Sequence, residues 1–574
     1  MPAEHSSQAN AGRSTRAEEP AAEPATRAVR LLDGRAEMLR RWGIAAWVAA
    51  IAGFAALHAW HLRADFPNGS PWILDWAKYT DEGWYGAAAV RAHLFGHWYF
   101  TGDFNTAVAV PAWPFVEWVA FFITGVKIEA ARGLAVGCFF TSLGLLYLLL
   151  RRSGSRAGRA DDTRFAGTLR WPALLAVTLA VTSPFLYSFS RLAILEPLET
   201  TLTLAMLNVA VRLPRMKRPM LGAIAVGILF ALAMLTKTNA VFLAPAAIWA
   251  VAAPLWSKRK LALRCVLAAG LATTVVYGAW IAVIARAGLM GDYRFFFLSA
   301  NAYAKPPEIW WPQVAFWWSL HGLLWIDHSM VVLAGALTAG AALAWRTQWG
   351  RIMWREPVFG AAILGILGFV LFMTVQDHPQ PRYFMVPAFL VCALVALGAE
   401  TLVERAGWAG RLGWLAVAAA VVAAGVHGAK TNAYARHPEY TWVNAATQVT
   451  QYIDTHPNGK RLVVATSGDE IMLMTGLPAI CDELSTDDLA DKVSRYQPGW
   501  FATWNEVDPS TLADLHTRYS LEQVASFSAL DDPDRDVLVL FKLHPLPGGR
   551  VRSESEPGMS DVLPEDRIEA TVEE

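Results

Sequence analysis

Apolar residues along the chain gather into long runs separated by short polar connections. Helices that cross a bilayer need roughly 20 apolar residues each, and the runs have that length. They lie at about 43–62, 131–150, 171–189, 195–212, 220–236, 239–256, 265–285, 328–345, 357–375, 384–403 and 412–428. This pattern predicts an all-α polytopic membrane protein with about 11 transmembrane helices. From about residue 430 the pattern changes. Strand-like runs such as "RLVVA" (461–465) and "DVLVLFKL" (536–543) alternate with helix-like stretches such as "TLADLHTRY". Such alternation predicts a small α/β domain. The expected organisation is a disordered cytoplasmic tail over 1–40, a transmembrane domain over 41–429, an extracytoplasmic α/β domain over 430–547 and a disordered tail over 548–574.

Loop charge sets the expected orientation, because short cytoplasmic loops are rich in Lys and Arg. With the N-terminus inside, the inner loops carry six Arg (151–170), three Arg and one Lys (212–218), two Lys and two Arg (257–264), three Arg (346–355) and two Arg (404–411). Every expected inner loop is basic. The stretch "VPAWPFVEWVAFFITGV" (110–126) is apolar enough to span, but counting it would put the Arg-rich loops outside. It also holds two prolines and Glu117. We read it as a helix lying on the outer interface, within an outer loop of about 63–130.

Composition agrees. Of 574 residues, 55% are apolar and 17% charged, where a soluble domain carries about 25% charged. The net charge is zero, so no basic field argues for nucleic acid. The four cysteines, at 138, 265, 392 and 481, show neither metal nor redox spacing.

Against this apolar background the charges near the expected outer face are informative. The first outer loop contains "YTDEGWYGAAA", with Asp81 and Glu82 side by side. "FSRLAILEPLETT" holds Arg191, Glu196 and Glu199; "LTKTNA" holds Lys237; "QDHPQPRYFMVP" holds Asp377, His378 and Arg382. Each has an ordinary explanation: Glu196 before Pro197 is a normal helix start, Lys237 can snorkel, and Arg382 beside Tyr383 can anchor at the interface. Together they mark one face, and ionisable groups at that depth usually have partners. A phosphate leaving group on a lipid calls for Arg and Lys. A hydroxyl or amine nucleophile calls for a carboxylate to take its proton.

At these residues the chain resembles the GT-C fold membrane glycosyltransferases, in the branch that holds protein O-mannosyltransferases and the aminoarabinose transferases of lipid A. The resemblance covers about 43–428. It rests on the order of Asp81, Glu82 and Tyr85, then "PAWPFVEWVAFFITG" and Arg132, then Ser190-Arg191 with Glu196-Pro197, then Thr236-Lys237, then Arg382, Tyr383 and Pro387. Glu196 stands where that group usually has Asp. The resemblance implies transfer of a sugar from a polyprenyl-phosphate donor to a protein, lipid or glycan acceptor at the bilayer, with inversion at the anomeric carbon. It implies Asp81 as general base and Glu82 as its orienting partner. Arg191, Lys237 and Arg382 would hold the phosphate, with Tyr85 and Tyr383 beside the substrate. Glu196 would position a cation or the acceptor. A divalent metal is compatible with some relatives, and Asp81, Glu196 and His378 are the residues that could converge on one. Aromatic residues of the 287–327 loop, with the tryptophans between 310 and 325, are expected to help choose the acceptor. Two other readings stay open: a lipid-linked sugar transporter or flippase, and a noncatalytic envelope assembly protein.

Overall fold

The computed structural model describes residues 23–72, 75–151, 153, 170–300, 328–344, 346–375, 380–482, 484–505 and 507–547. The tail 1–22, the terminal segment 548–574, the tryptophan-rich 301–327 stretch, Asp377 and His378 lie outside these residues. The chain divides into Met1–Ala52 and Gly53–Glu574. The described part of the first unit belongs to one helix, α1 (Glu23–Ala59), which begins within the segment read as a polar tail.

In the second unit every expected apolar run is helical. α2 (Asp81–Phe95) and α3 (Ala112–Thr124) follow in the first long loop, then α4 (Ile128–Arg151), α5 (Trp171–Thr182), α6 (Pro184–Ser190), α7 (Leu195–Ala210), α8 (Pro219–Thr236), α9 (Ala244–Ala252) and α10 (Arg259–Arg286). Later apolar helices span His328–Leu343, Pro357–Val375, Met385–Val403 and Trp408–Arg436. By length and composition, six helical stretches among the described residues are long and apolar enough to cross a membrane, or seven if one bent pair counts as one span. Eleven were expected. The difference lies in breaks and short helices. α5 and α6 meet at 65° at Ser183-Pro184, where the proline cannot continue the helix. The runs at 239–256 and 265–285 fall in a single helical stretch, Thr238–Arg286. α7 has 16 residues, and the apolar parts of two later helices cover only Val332–Leu343 and Pro357–Met373.

α3 is the helix expected at the interface. Phe115, Trp118, Val119, Phe122 and Ile123 are exposed on it, while Glu117 is buried. The side that faces away from the protein is thus apolar, as a helix against lipid requires.

The C-terminal region carries a five-stranded mixed sheet in the order β2-β1-β3-β5-β4. The strands are β1 (Val463–Val464), β2 (Ala479–Ile480), β3 (Trp500–Trp504), β4 (Tyr519–Ser528) and β5 (Val537–Pro545). β1 pairs in parallel with β2 and β3, and β5 runs antiparallel to β3 and β4. Both strand-like runs read from the sequence are strands, and "TLADLHTRY" contributes the helix Pro509–His516. The apolar core of this sheet does not end at the region's edge. Trp442, Val449, Ile471 and Leu540 share one buried cluster with Tyr79, Trp84, Val90 and Trp113 of the first loop. Polar links cross the same boundary. Asp65 accepts from the backbone N–H of Trp442 (2.9 Å) and Val443 (3.2 Å), capping the helix Thr441–Thr455 from outside.

Candidate functional site

The helix α2 starts where the sequence places a helix-start signal, with Thr80 ahead of two acids in the first turn. Carboxylates there are favoured by the partial positive charge of the unpaired N–H groups. Successive residues on a helix point about 100° apart. Asp81 and Glu82 therefore face different surroundings, and the structure gives them different partners.

Asp81 pairs with the Arg382 guanidinium. Arg382 also pairs with Asp75, and its Nε lies 3.5 Å from Glu196. Asp75 does three jobs. It caps the single 3₁₀ turn Trp76–Lys78 through the Ala77 N–H (2.9 Å), accepts the Arg382 backbone N–H (3.1 Å) and holds the Arg382 side chain. Glu196 pairs in addition with Lys237, whose ammonium sits 3.9 Å from the centre of the Tyr383 ring. Arg382 lies 5.1 Å from the same ring centre. Tyr85 lies one turn along α2 from Asp81. Burial, and then the Asp81 charge, push its hydroxyl well above the ordinary phenol range.

Four chain ends meet here. α2 and α7 contribute their first turns, Lys237 follows the last residue of α8, and Arg382 lies in the 3₁₀ turn Pro381–Phe384 that leads into Met385–Val403. Three of these ends are helix starts, whose free N–H groups favour anions. Asp75, Asp81, Glu196, Lys237 and Arg382 are all buried. Three carboxylates face two cations. Burial raises the Asp81 carboxyl from its ordinary range to about 6, against the opposing pull of Arg382.

Glu82 turns the other way. Arg132 grips it with two hydrogen bonds, 2.8 Å from Nε and 2.6 Å from Nη2, and the Ala193 N–H donates to it at 2.7 Å. Arg132 also donates to the carbonyls of Leu62 (2.9 Å) and Ala64 (2.7 Å). The pair thus ties α2 and α4 to the segment that follows the first helix and to the turn before α7. Arg191, expected on the phosphate, donates instead to the Trp60 and His61 carbonyls and to the Tyr187 hydroxyl (2.6 Å).

The structure therefore brings together Asp81, Tyr85, Glu196, Lys237, Arg382 and Tyr383. It places Glu82 and Arg191 in neighbouring fastenings. Asp75 was not singled out from the sequence: one acid in "WAKYT" context, without a neighbouring acid, carries no pattern. Its only signal is its position six residues before Asp81. No group of three or more His, Cys, Asp or Glu side chains able to hold a metal ion occurs among the described residues. Of the three residues that could converge on a metal, Asp81 and Glu196 meet in this cluster, paired with Arg382 and Lys237, and His378 lies outside the described residues.

No known family profile matches the chain, and no curated protein matches it. Among solved structures, ArnT from Cupriavidus metallidurans in the apo state superposes with a TM-score of 0.53 at 14% identity. The match covers 87% of this chain and 98% of ArnT. ArnT from the same organism bound to undecaprenyl phosphate gives 0.52 at 14% identity, with the same coverage. An oligosaccharyltransferase, AglB from Archaeoglobus fulgidus, in complex with an inhibitory peptide and a dolichol-phosphate, gives 0.47 at 12% identity over 80% of this chain and 69% of that one. The likeness to ArnT shows a shared fold, the GT-C fold expected from the order of the motifs.

The Glu82–Arg132 pair predicts a measurable stability effect. Arg132→Met leaves a buried carboxylate without its guanidinium, a change that typically costs about 3–5 kcal/mol. The apparent unfolding midpoint in detergent should fall clearly. An unchanged midpoint would show that Arg132 is no fastening.

Proposed function

We propose that the chain is an integral membrane glycosyltransferase that moves a sugar from a polyprenyl-phosphate donor to an acceptor hydroxyl or amine, with inversion. The observation that carries this reading is the buried cluster in which one carboxylate, Asp81, pairs with Arg382 and lies near Lys237, the two cations suited to hold a phosphate. The shared fold with ArnT, a protein solved with undecaprenyl phosphate, supports the choice of carrier.

In the proposed reaction the acceptor O–H or N–H loses its proton to the Asp81 carboxylate. The freed lone pair forms the bond to the anomeric carbon from the face opposite the phosphate. The bond from that carbon to the phosphate oxygen breaks, and the polyprenyl phosphate leaves with the electron pair. Arg382 and Lys237 stabilise the charge that develops on it. Donor binding exchanges partners: phosphate oxygens compete with Asp75, Asp81 and Glu196 for the two cations, which frees Asp81 from Arg382 to face the acceptor. Tyr85 and Tyr383 line the approach. Glu196 holds Lys237 in place in the absence of donor. We assign Arg191 and Glu82 to holding the frame and not to the substrate. The site's own side chains supply all of this, and a divalent metal, if required, would show as loss of turnover on chelation.

Loop charge supports a cytoplasmic N-terminus and a C-terminal region on the other side of the membrane. Ser510 is exposed on that region. Ser510→Cys should label with an impermeant thiol reagent in intact cells; labelling only after lysis would reverse the orientation.

The reaction is tested in detergent with radiolabelled polyprenyl-phosphate sugars, because transfer needs no sealed membrane and transport does. Asp81→Asn keeps the shape and removes the proton acceptor. Turnover should fall about 10²–10⁴-fold with donor binding kept. The base works ionised, and its carboxyl is raised to about 6. It follows that kcat/KM should fall as pH drops through about 6 and level off above it. Wild-type turnover in Asp81→Asn, or a flat profile down to pH 4.5, would contradict this role.

A further inference from the structure

The segment that carries Asp75, Asp81 and Tyr85 rests on the C-terminal region along its whole length. At its front, Lys78 forms a buried ion pair with Asp532 (3.1 Å). Both side chains are almost inaccessible, at 2% and 1% exposure. Asp532 sits in the tight connection between β4 and β5, where the Ala529 N–H bonds to the Asp536 carbonyl (2.8 Å) and the Arg535 N–H to the Asp532 carbonyl (2.8 Å). The same connection makes two more contacts with the first loop. Asp531 accepts the Gly69 N–H (2.9 Å), and the Arg535 guanidinium stacks over Tyr79 (4.3 Å).

The middle of the segment is held by shape. The Trp84 indole N–H donates to the Thr466 carbonyl (3.1 Å). At Gly83 there is no room for a side chain: a Cβ there would fall on the backbone of Asp469 and Glu470, in the first turn of the helix Gly468–Thr475. At the rear, Arg91 bonds both Asp103 (2.6 Å) and Asp469 (2.8 Å), all three buried. A binding module that merely hung from the membrane domain would not need a close backbone approach beside Glu82. Nor would it place a buried ion pair three residues before Asp81.

We infer that the C-terminal region is a positioning element of the transfer site. Its β4–β5 connection, through Asp532 on Lys78, and its helix Gly468–Thr475, packed on Gly83, fix where α2 begins and so where the Asp81 carboxylate points. This rests on the proposed role of Asp81. Lys78, Asp532 and Gly83 are positioning residues, since they act through the turn Trp76–Lys78 and the first turn of α2. A reacting group displaced by about 1 Å can lose about a hundredfold in rate, so the effect belongs in kcat.

The test uses the full chain in detergent. Asp532→Asn and Gly83→Ala, a variant with no change of charge, are compared with Asp454→Ala, which removes an exposed ion pair with Arg461 elsewhere in the same region. For the first two variants, kcat should fall about tenfold or more while donor KM stays within about twofold. Amide hydrogen exchange over residues 76–90 should speed up, with exchange in α4 and α8 unchanged. Asp454→Ala should match the wild type in both. Wild-type kcat in Asp532→Asn and Gly83→Ala, or a loss that appears only as a lower folded fraction with normal turnover per folded molecule, would overturn the inference. Should the wild-type chain transfer no sugar at all, the glycosyltransferase reading fails by itself. The exchange measurement then decides the positioning claim, and unchanged exchange over 76–90 would overturn it.

Discussion

One guanidinium, that of Arg382, pairs with both Asp75 and Asp81 in a buried place and lies close to Glu196. Carboxylates removed from water are stable only with charged or hydrogen-bonded partners. The ends that bring these groups together must therefore stay together. Arg382 lies at the start of Met385–Val403, Asp75 and Asp81 flank the turn before α2, and Glu196 opens α7 with Lys237 of the α8 end beside it. This arrangement leaves both cations already paired with carboxylates, so that under the proposed function an arriving phosphate must trade places with them.

The second fastening, Arg132 on Glu82, lies on a different side of the same helix turn. Two adjacent acids thus serve two ends. One, with its carboxyl raised by burial, is the base of the proposed reaction, and the other anchors the helix that carries it. The C-terminal region closes the frame from the third side through Lys78, Gly83 and Arg91. A base on a helix held from three sides has little freedom to turn, which is what proton transfer to a positioned group requires.

Much of this was legible in the chain. The apolar runs are helices, the 110–126 segment is a helix with an apolar exposed side, and the tail from 430 contains a sheet. Charges isolated in an apolar context pointed to Asp81, Glu196, Lys237 and Arg382, because their rarity itself is the signal. Other features were not legible. Span lengths depend on where proline and 3₁₀ turns break a run, as at Ser183-Pro184, and hydropathy averages over such breaks. Asp75 carries no motif; its importance comes from the Arg382 side chain more than 300 residues away. Arg191 lies close to Glu196 in sequence, but the turn between α6 and α7 sends it to the Trp60 and His61 carbonyls. The union of the C-terminal sheet with the first loop rests on pairs such as Lys78–Asp532, whose separation leaves no local trace.

The central claim is that this cluster receives the phosphate of a lipid carrier and aims Asp81 at the acceptor. Its most direct test is a structure of the protein with a non-transferable phosphonate analogue of a polyprenyl-phosphate sugar. The account predicts phosphonate oxygens on Arg382 and Lys237. It also predicts the Asp81 carboxylate released from Arg382, on the face of the anomeric carbon opposite the phosphonate. A phosphonate seated elsewhere, with the Arg382 ion pairs to Asp75 and Asp81 intact, would contradict it.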